Sequence, residues 1–92
     1  MHETGIVRDV IHRLEQAARD AGAERVCGVD VWLGALSSFS PAHFRAHFDE
    51  ESRGTVAQGA ALRIVASEDI ADPNAQSVMI RSVELEIPER TA

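Results

Sequence analysis

Arg25-Val26-Cys27-Gly28-Val29-Asp30-Val31-Trp32-Leu33 is the stretch that decides the fold. Alternate residues Cys27, Val29, Val31 and Leu33 form one continuous apolar face, with Gly28 and Asp30 on the other, as in a strand covered on one side. Trp32 shares the less apolar face with Asp30, where it serves as cover for an edge of the sheet rather than as a contact surface for a partner. Cys27 reads as a small buried apolar residue and not as a reactive thiol. It is the only cysteine of the chain, which excludes an internal disulfide and any zinc site built from CxxC pairs.

Before this strand, from Thr4 to about Ala21, Ile6, Val10, Leu14, Ala17 and Ala21 recur at helical spacing, and Arg8, Asp9, Arg13, Glu15 and Asp20 fall largely elsewhere. Gly22 then ends an amphipathic helix in the left-handed position that suits a residue without a side chain. After the strand, Gly34 and the serines Ser37, Ser38 and Ser40 make a break. Ser40-Pro41 supplies a capping side chain and a proline whose missing donor costs nothing in a first turn, so a second helix begins there. Phe44 and Phe48, four apart, dock it on the apolar face of the sheet, and Asp49-Glu50-Glu51 with Gly54 close it.

Further on, Ala61 to Ala66 alternates with Leu62, Ile64 and Ala66 on one face, and Val78 to Ile87 with Met79, Val83, Leu85 and Ile87 on one face. The polar segment Ser67 to Ser77 between these strands is turn-like and long for a hairpin. Pro88 ends the last strand. The order helix-strand-helix-strand-strand predicts an α+β fold, with two helices packed on one face of a three-stranded mixed sheet.

Ninety-two residues make a single domain with a modest core. Nine basic against fifteen acidic residues give a formal charge of -6, which repels phosphate backbones and anionic lipid head groups, so nucleic acid and membrane surfaces are not expected partners. No apolar run approaches the ~20 residues that cross a bilayer, and His2 and Glu3 stand where a signal peptide would carry basic charge. The expected location is the cytoplasm.

The chain opens Met1-His2-Glu3, where an amine, an imidazole and successive backbone amides offer several nitrogen ligands suited to Ni(II) or Cu(II). Together with this tripeptide, other segments resemble a known family in order and spacing. They are Gly22-Ala23-Glu24-Arg25-Val26, Gly34-Ala35-Leu36-Ser37 with Pro41, Phe48-Asp49, Ser52-Arg53-Gly54-Thr55, Gly59-Ala60-Ala61-Leu62 and Ile80-Arg81-Ser82-Val83-Glu84-Leu85-Glu86. The chain resembles the HypA/HybF nickel chaperones of nickel-iron hydrogenase maturation over residues 1 to about 66 and 78 to 87.

The resemblance implies a nickel metallochaperone, not an enzyme, that binds Ni(II) through Met1, His2 and Glu3 and delivers it to a hydrogenase. It also implies a HypB-type GTPase and the hydrogenase large subunit as partners. Square-planar Ni(II) held by amine, imidazole and ionised amide nitrogens has its charge offset by lost amide protons. That offset matters beside a helix N-terminus, whose partial positive charge disfavours a dication. In the family a zinc domain with two CxxC pairs normally sits between the last two strands. Here residues 67–77 form a short linker in its place, so no structural zinc is expected. The strand edge this leaves could permit a homodimer through sheet pairing, which sedimentation would reveal.

Other candidates give weaker chemistry. His43 and His47, four apart on the second helix, can chelate a divalent ion, but two ligands alone make a weak site and the family requires no histidines there. They read as solvated helix residues, as does His12 on the first helix. Asp49, Glu50 and Glu51 lack a partnering base or nucleophile and read as a solvated helix end. Ser37, Ser38 and Ser40 have no Gly-x-Ser-x-Gly setting, and Gly54 and Gly59 give no phosphate-binding pattern. The readings that compete with hydrogenase nickel delivery are a metal-free protein-interaction module and a chaperone for another nickel enzyme.

Overall fold

The computed structural model describes residues 3–89, residue 3 through its backbone. The elements follow the expected order: α1 (Glu3–Ala21), β1 (Arg25–Leu33), α2 (Pro41–Glu51), β2 (Ala61–Ala66) and β3 (Val78–Glu86). The sheet runs β2-β1-β3, with β1 central, parallel to β2 and antiparallel to β3. It is the mixed three-stranded sheet predicted, and both helices share one core with its inner face.

Local chemistry explains where the helices stop and start. Gly22 has φ 67°; the Ala23 amide donates to the Ala18 carbonyl at 2.8 Å and the Gly22 amide to Arg19 at 3.2 Å, the paired closure that a left-handed residue allows. At α2 the Ser40 hydroxyl accepts from the His43 amide at 3.1 Å, with Pro41 in the first turn. Phe44 and Phe48 are buried, and Phe39 meets Phe44 edge-on at 5.3 Å between ring centroids, a geometry that aligns ring edge with ring face.

Two bulges shift the faces of the sheet away from strict alternation. Val26 pairs with Leu85 and Gly28 with Glu84, which leaves Cys27 as an extra residue on β1. Val26, fully buried, therefore joins Val29, Val31 and Leu33 in the core, while Cys27 is half-buried and free. The expectation that Cys27 belongs to the inner face is corrected by this inserted residue. On β3, Ser82 pairs with Asp30 and Ile80 with Val31, leaving Arg81 extra. Val78 and Ile80 thus pack inward with Val83 and Leu85. Met79 instead lies opposite Trp32 on the outer face, and Ile87 falls beyond the strand and is exposed. Trp32 is nearly buried there, with the Arg81 guanidinium 5.5 Å from its ring centroid.

The α1 stripe is also rotated. The buried residues are Val7, Val10, Ile11, Leu14 and Ala18, and the expected set Ile6, Val10, Leu14, Ala17 and Ala21 is centred about 60° round the helix from them at 100° per residue.

A polar row ties the outer face together. Arg63 of β2 donates to the two carboxylate oxygens of Asp30 on β1 at 2.6 and 3.1 Å. Ser82 of β3 also donates to Asp30, and Arg63 reaches Glu84 of β3. Gly28 makes the last contact feasible, since a Cβ there would stand 2.9 Å from the Glu84 carboxylate oxygen. The hydrogen bond from Arg63, then that from Ser82, lowers the Asp30 pKa to about 2, and those to Asp30 and Glu84 raise that of Arg63. Because the Asp30 value falls on folding, its stabilising contribution is complete above about pH 4 and is lost as pH drops towards 2. Carboxyl NMR should place the Asp30 titration near pH 2 in the parent and clearly higher, towards the ordinary carboxylate range, in Arg63→Gln, where the Ser82 hydrogen bond remains. An unchanged midpoint in the variant would refute the assignment to Arg63.

Candidate metal centre

Of the three residues singled out at the start of the chain, Met1 and His2 lie outside the described residues, and Glu3 begins α1. What the structure does describe is the framework around that helix start. α1 returns through Gly22 into β1 and therefore runs opposite to it. α2 links the parallel strands β1 and β2 and also runs opposite to them. The two helices thus point the same way. Arg8 donates to Glu51 at 2.5 Å, which ties the second turn of α1 to the last turn of α2.

α2 also carries two histidines. His43 and His47 are half-buried. Their Nε2 atoms are 3.1 Å apart and their ring centroids 4.8 Å apart, inclined at 54°. The buried ring of Phe39 flanks both, at 5.6 Å from His43 and 6.3 Å from His47. The description of these two as solvated helix residues is therefore incomplete: spacing of four put them on one face, and the aromatic residue before α2 holds them against each other. His12 is exposed, as expected. Asp49 and Glu50 are exposed too, whereas Glu51 is half-buried through its pairing with Arg8.

Among the described residues no group of three or more His, Cys, Asp or Glu converges in a metal-ligating arrangement, and no helix is long and apolar enough to cross a membrane. The groove between α1 and β3, about 300 Å³ in volume, is lined by Ile6, Val10, Val78, Met79 and Ile80 with Asp9 and Arg13. The last two form an ion pair at 3.0 Å, so the groove presents no base beside a nucleophile.

Residues 67–77 are a run of turns and not a free tether. The Asp69 and Asp72 side chains accept from the Ala71 and Asn74 amides. Ala75 is buried, and its carbonyl accepts from the Leu36 amide at 2.7 Å. The Gly34 amide donates to Ser77 at 2.9 Å, which seats the segment on the end of β1.

Comparison with known proteins supplies the family. A family model described as hydrogenase/urease nickel incorporation, metallochaperone, hypA matches residues 1–76. The chain is 38% identical over 65 residues to hydrogenase maturation factor HypA of Acidithiobacillus ferrooxidans, covering 71% of this chain and 58% of that protein. It is 39% identical over 66 residues to HypA of Dechloromonas aromatica, covering 72% and 58% respectively. The chain thus spans less than two thirds of the length of these relatives. Its fold is similar to the solution structure of the Ni metallochaperone HypA from Helicobacter pylori, with a TM-score of 0.78 at 19% identity, over 96% of this chain and 100% of that one. With the family model matching residues 1–76, most of its length, the chain belongs to the HypA family.

Proposed function

We propose that this protein is a nickel metallochaperone, a single nickel-binding domain over residues 1–92 that takes up Ni(II) through Met1, His2 and Glu3 and delivers it during maturation of a nickel-iron hydrogenase. The observation that carries the reading is the match to the nickel-incorporation family from residue 1 to 76, which includes the tripeptide. Transfer would involve a HypB-type GTPase and the hydrogenase large subunit, and residues 67–77 would stand where relatives carry a zinc domain.

The chemistry of the donor set fits this task. The terminal amine, the His2 imidazole and backbone amide nitrogens form adjoining chelate rings around a square-planar ion, and each ionised amide cancels part of its charge. α1 begins at Glu3, so that cancellation acts where the helix end would otherwise repel a cation. The Glu3 carboxylate can add an oxygen ligand when the ion expands to six-coordination. Ligands at the start of a chain can be exchanged one at a time for those of a recipient, which release requires. Acid protonates the amine and the imidazole, and binding weakens accordingly.

Nickel titration of tag-free protein, followed by the weak yellow absorption of square-planar Ni(II), tests the reading. The parent is expected to take one tight equivalent with that band. His2→Ala should lose the band and more than about 100-fold in affinity, because a direct ligand matters more than the outer partners whose loss costs 10–100-fold. Hydrogenase maturation should fall with it. Equal tight binding by both chains would overturn the terminal site, and maturation unaffected by the variant would favour a metal-free interaction module.

A further inference from the structure

We infer that His43 and His47 form a metal-binding pair, a bidentate chelate for a divalent late first-row ion such as Ni(II) or Zn(II), built on the side chains of α2 and not on the ligand set of the tripeptide. Geometry carries it. With metal–nitrogen bonds of about 2.0–2.1 Å, two neighbouring ligands stand about 2.9 Å apart in a square-planar or octahedral site and about 3.4 Å apart in a tetrahedral one. The Nε2 atoms of His43 and His47, at 3.1 Å, lie between these values. An ion could bind both with ring shifts of a few tenths of an ångström.

The pair is held in place by its surroundings. Phe44 and Phe48 fix α2 in the core, Ser40 caps its start, and the Arg45 guanidinium donates to the Leu62 carbonyl at 2.8 Å. Phe39 limits the rings from the side. Rotamer entropy that two free imidazoles would lose on chelation is therefore already reduced. Imidazole nitrogens suit borderline ions, and two histidines one turn apart on a helix are a recurrent ligand pair. In the metal-free chain one Nε2–H can serve the other Nε2. On chelation both Nε2 lone pairs face the ion and the donor ring carries its proton on Nδ1, so neutral rings need release no proton. Asp49 and Glu50 after the pair add negative charge that favours a dication.

The test is made in full-length, tag-free His2→Ala protein, so that binding by the intact tripeptide does not enter the reading. NiCl2 and ZnCl2 are titrated separately against a chromogenic competitor, and imidazole nitrogen resonances are followed with Zn(II). The His43 and His47 signals should shift or broaden together at one equivalent while exposed His12 stays unchanged. Adding His43→Ala and His47→Ala should weaken binding at least ten-fold for whichever ion binds. Unmoved His43 and His47 signals, or affinity unchanged in a folded triple variant, would overturn the site. The resonances are read in a chain retaining both histidines, so the result does not depend on how well the triple variant folds. Loss of the yellow band in His2→Ala, with the His43 and His47 signals still responding, would leave both sites standing. Retention of the band would overturn the terminal site alone.

Discussion

Phe44→Ala should destabilise the protein by about 3–5 kcal/mol, the usual cost of removing a buried aromatic ring. At this chain length each kcal/mol moves the melting temperature by about 4–8 °C, so a fall of at least 12 °C is expected in thermal denaturation, about a third or more of a typical domain's stability. The ring is fully buried, edge-on to Phe39 and 6.3 Å from Phe48. Little nearby material can collapse into the space, because the sheet behind it is fixed by strand pairing. Phe44→Leu, which keeps most of the volume, should cost less than half as much. A loss below about 1 kcal/mol for Phe44→Ala would show that α2 is anchored elsewhere. Phe39 touches both Phe44 and the histidines of α2, so loss of the Phe44 ring should also broaden the His43 and His47 resonances.

Gly34→Ala is expected to cost about 3 kcal/mol, at the upper end of overpacking penalties, although it adds only a methyl group. That methyl would run into the backbone of Ala75 and stand 2.7 Å from the Asn74 carbonyl oxygen. Neither atom can rotate away as a side chain would, and moving them breaks the bonds from Leu36 to Ala75 and from Gly34 to Ser77. Adding Ala75→Gly should give no rescue, since the clash is with main chain. Denaturant midpoints of the single and double variants check this, and recovery of more than about 1 kcal/mol by the second change would mean that side-chain crowding was the cause.

How far the fold can be read from residues depends on whether its cause is local. The Ser40-Pro41 start of α2, the Gly22 stop of α1 and the strand of residues 25–33 are all written in neighbouring side chains. The bulges at Cys27 and Arg81 are not, because one extra residue leaves composition and strand length intact while inverting which side chains face inward. Met79 and Cys27 are accordingly the residues whose faces the alternation misplaces. In α1, small alanines at 17 and 21 fit either side of the stripe, and only contact with the sheet selects Val7, Ile11 and Ala18. For the metal chemistry, the tripeptide is visible as a motif, but its meaning comes from family resemblance. The His43–His47 spacing is equally visible, as is Phe39 four residues before the first of them; that the Phe39 ring is buried and flanks both imidazoles depends on how the core packs and not on the local sequence.

Leu33 pairs with Ala66 on one side and with Val78 on the other. The last residue of β2 and the first of β3 are therefore separated by two strand spacings, about 10 Å. Beyond the bonds that seat Ala75 and Ser77 on the end of β1, strand pairing asks of the connection only that it meet this gap, and lengthening it adds little closure entropy, about 0.6 kcal/mol per doubling. The junction behaves as a socket: whole modules with ends about 10 Å apart could be plugged in or removed there while the strand register below stays unchanged. Members of such a family could thus exchange attachments at this end without redesigning the layer of helices and sheet.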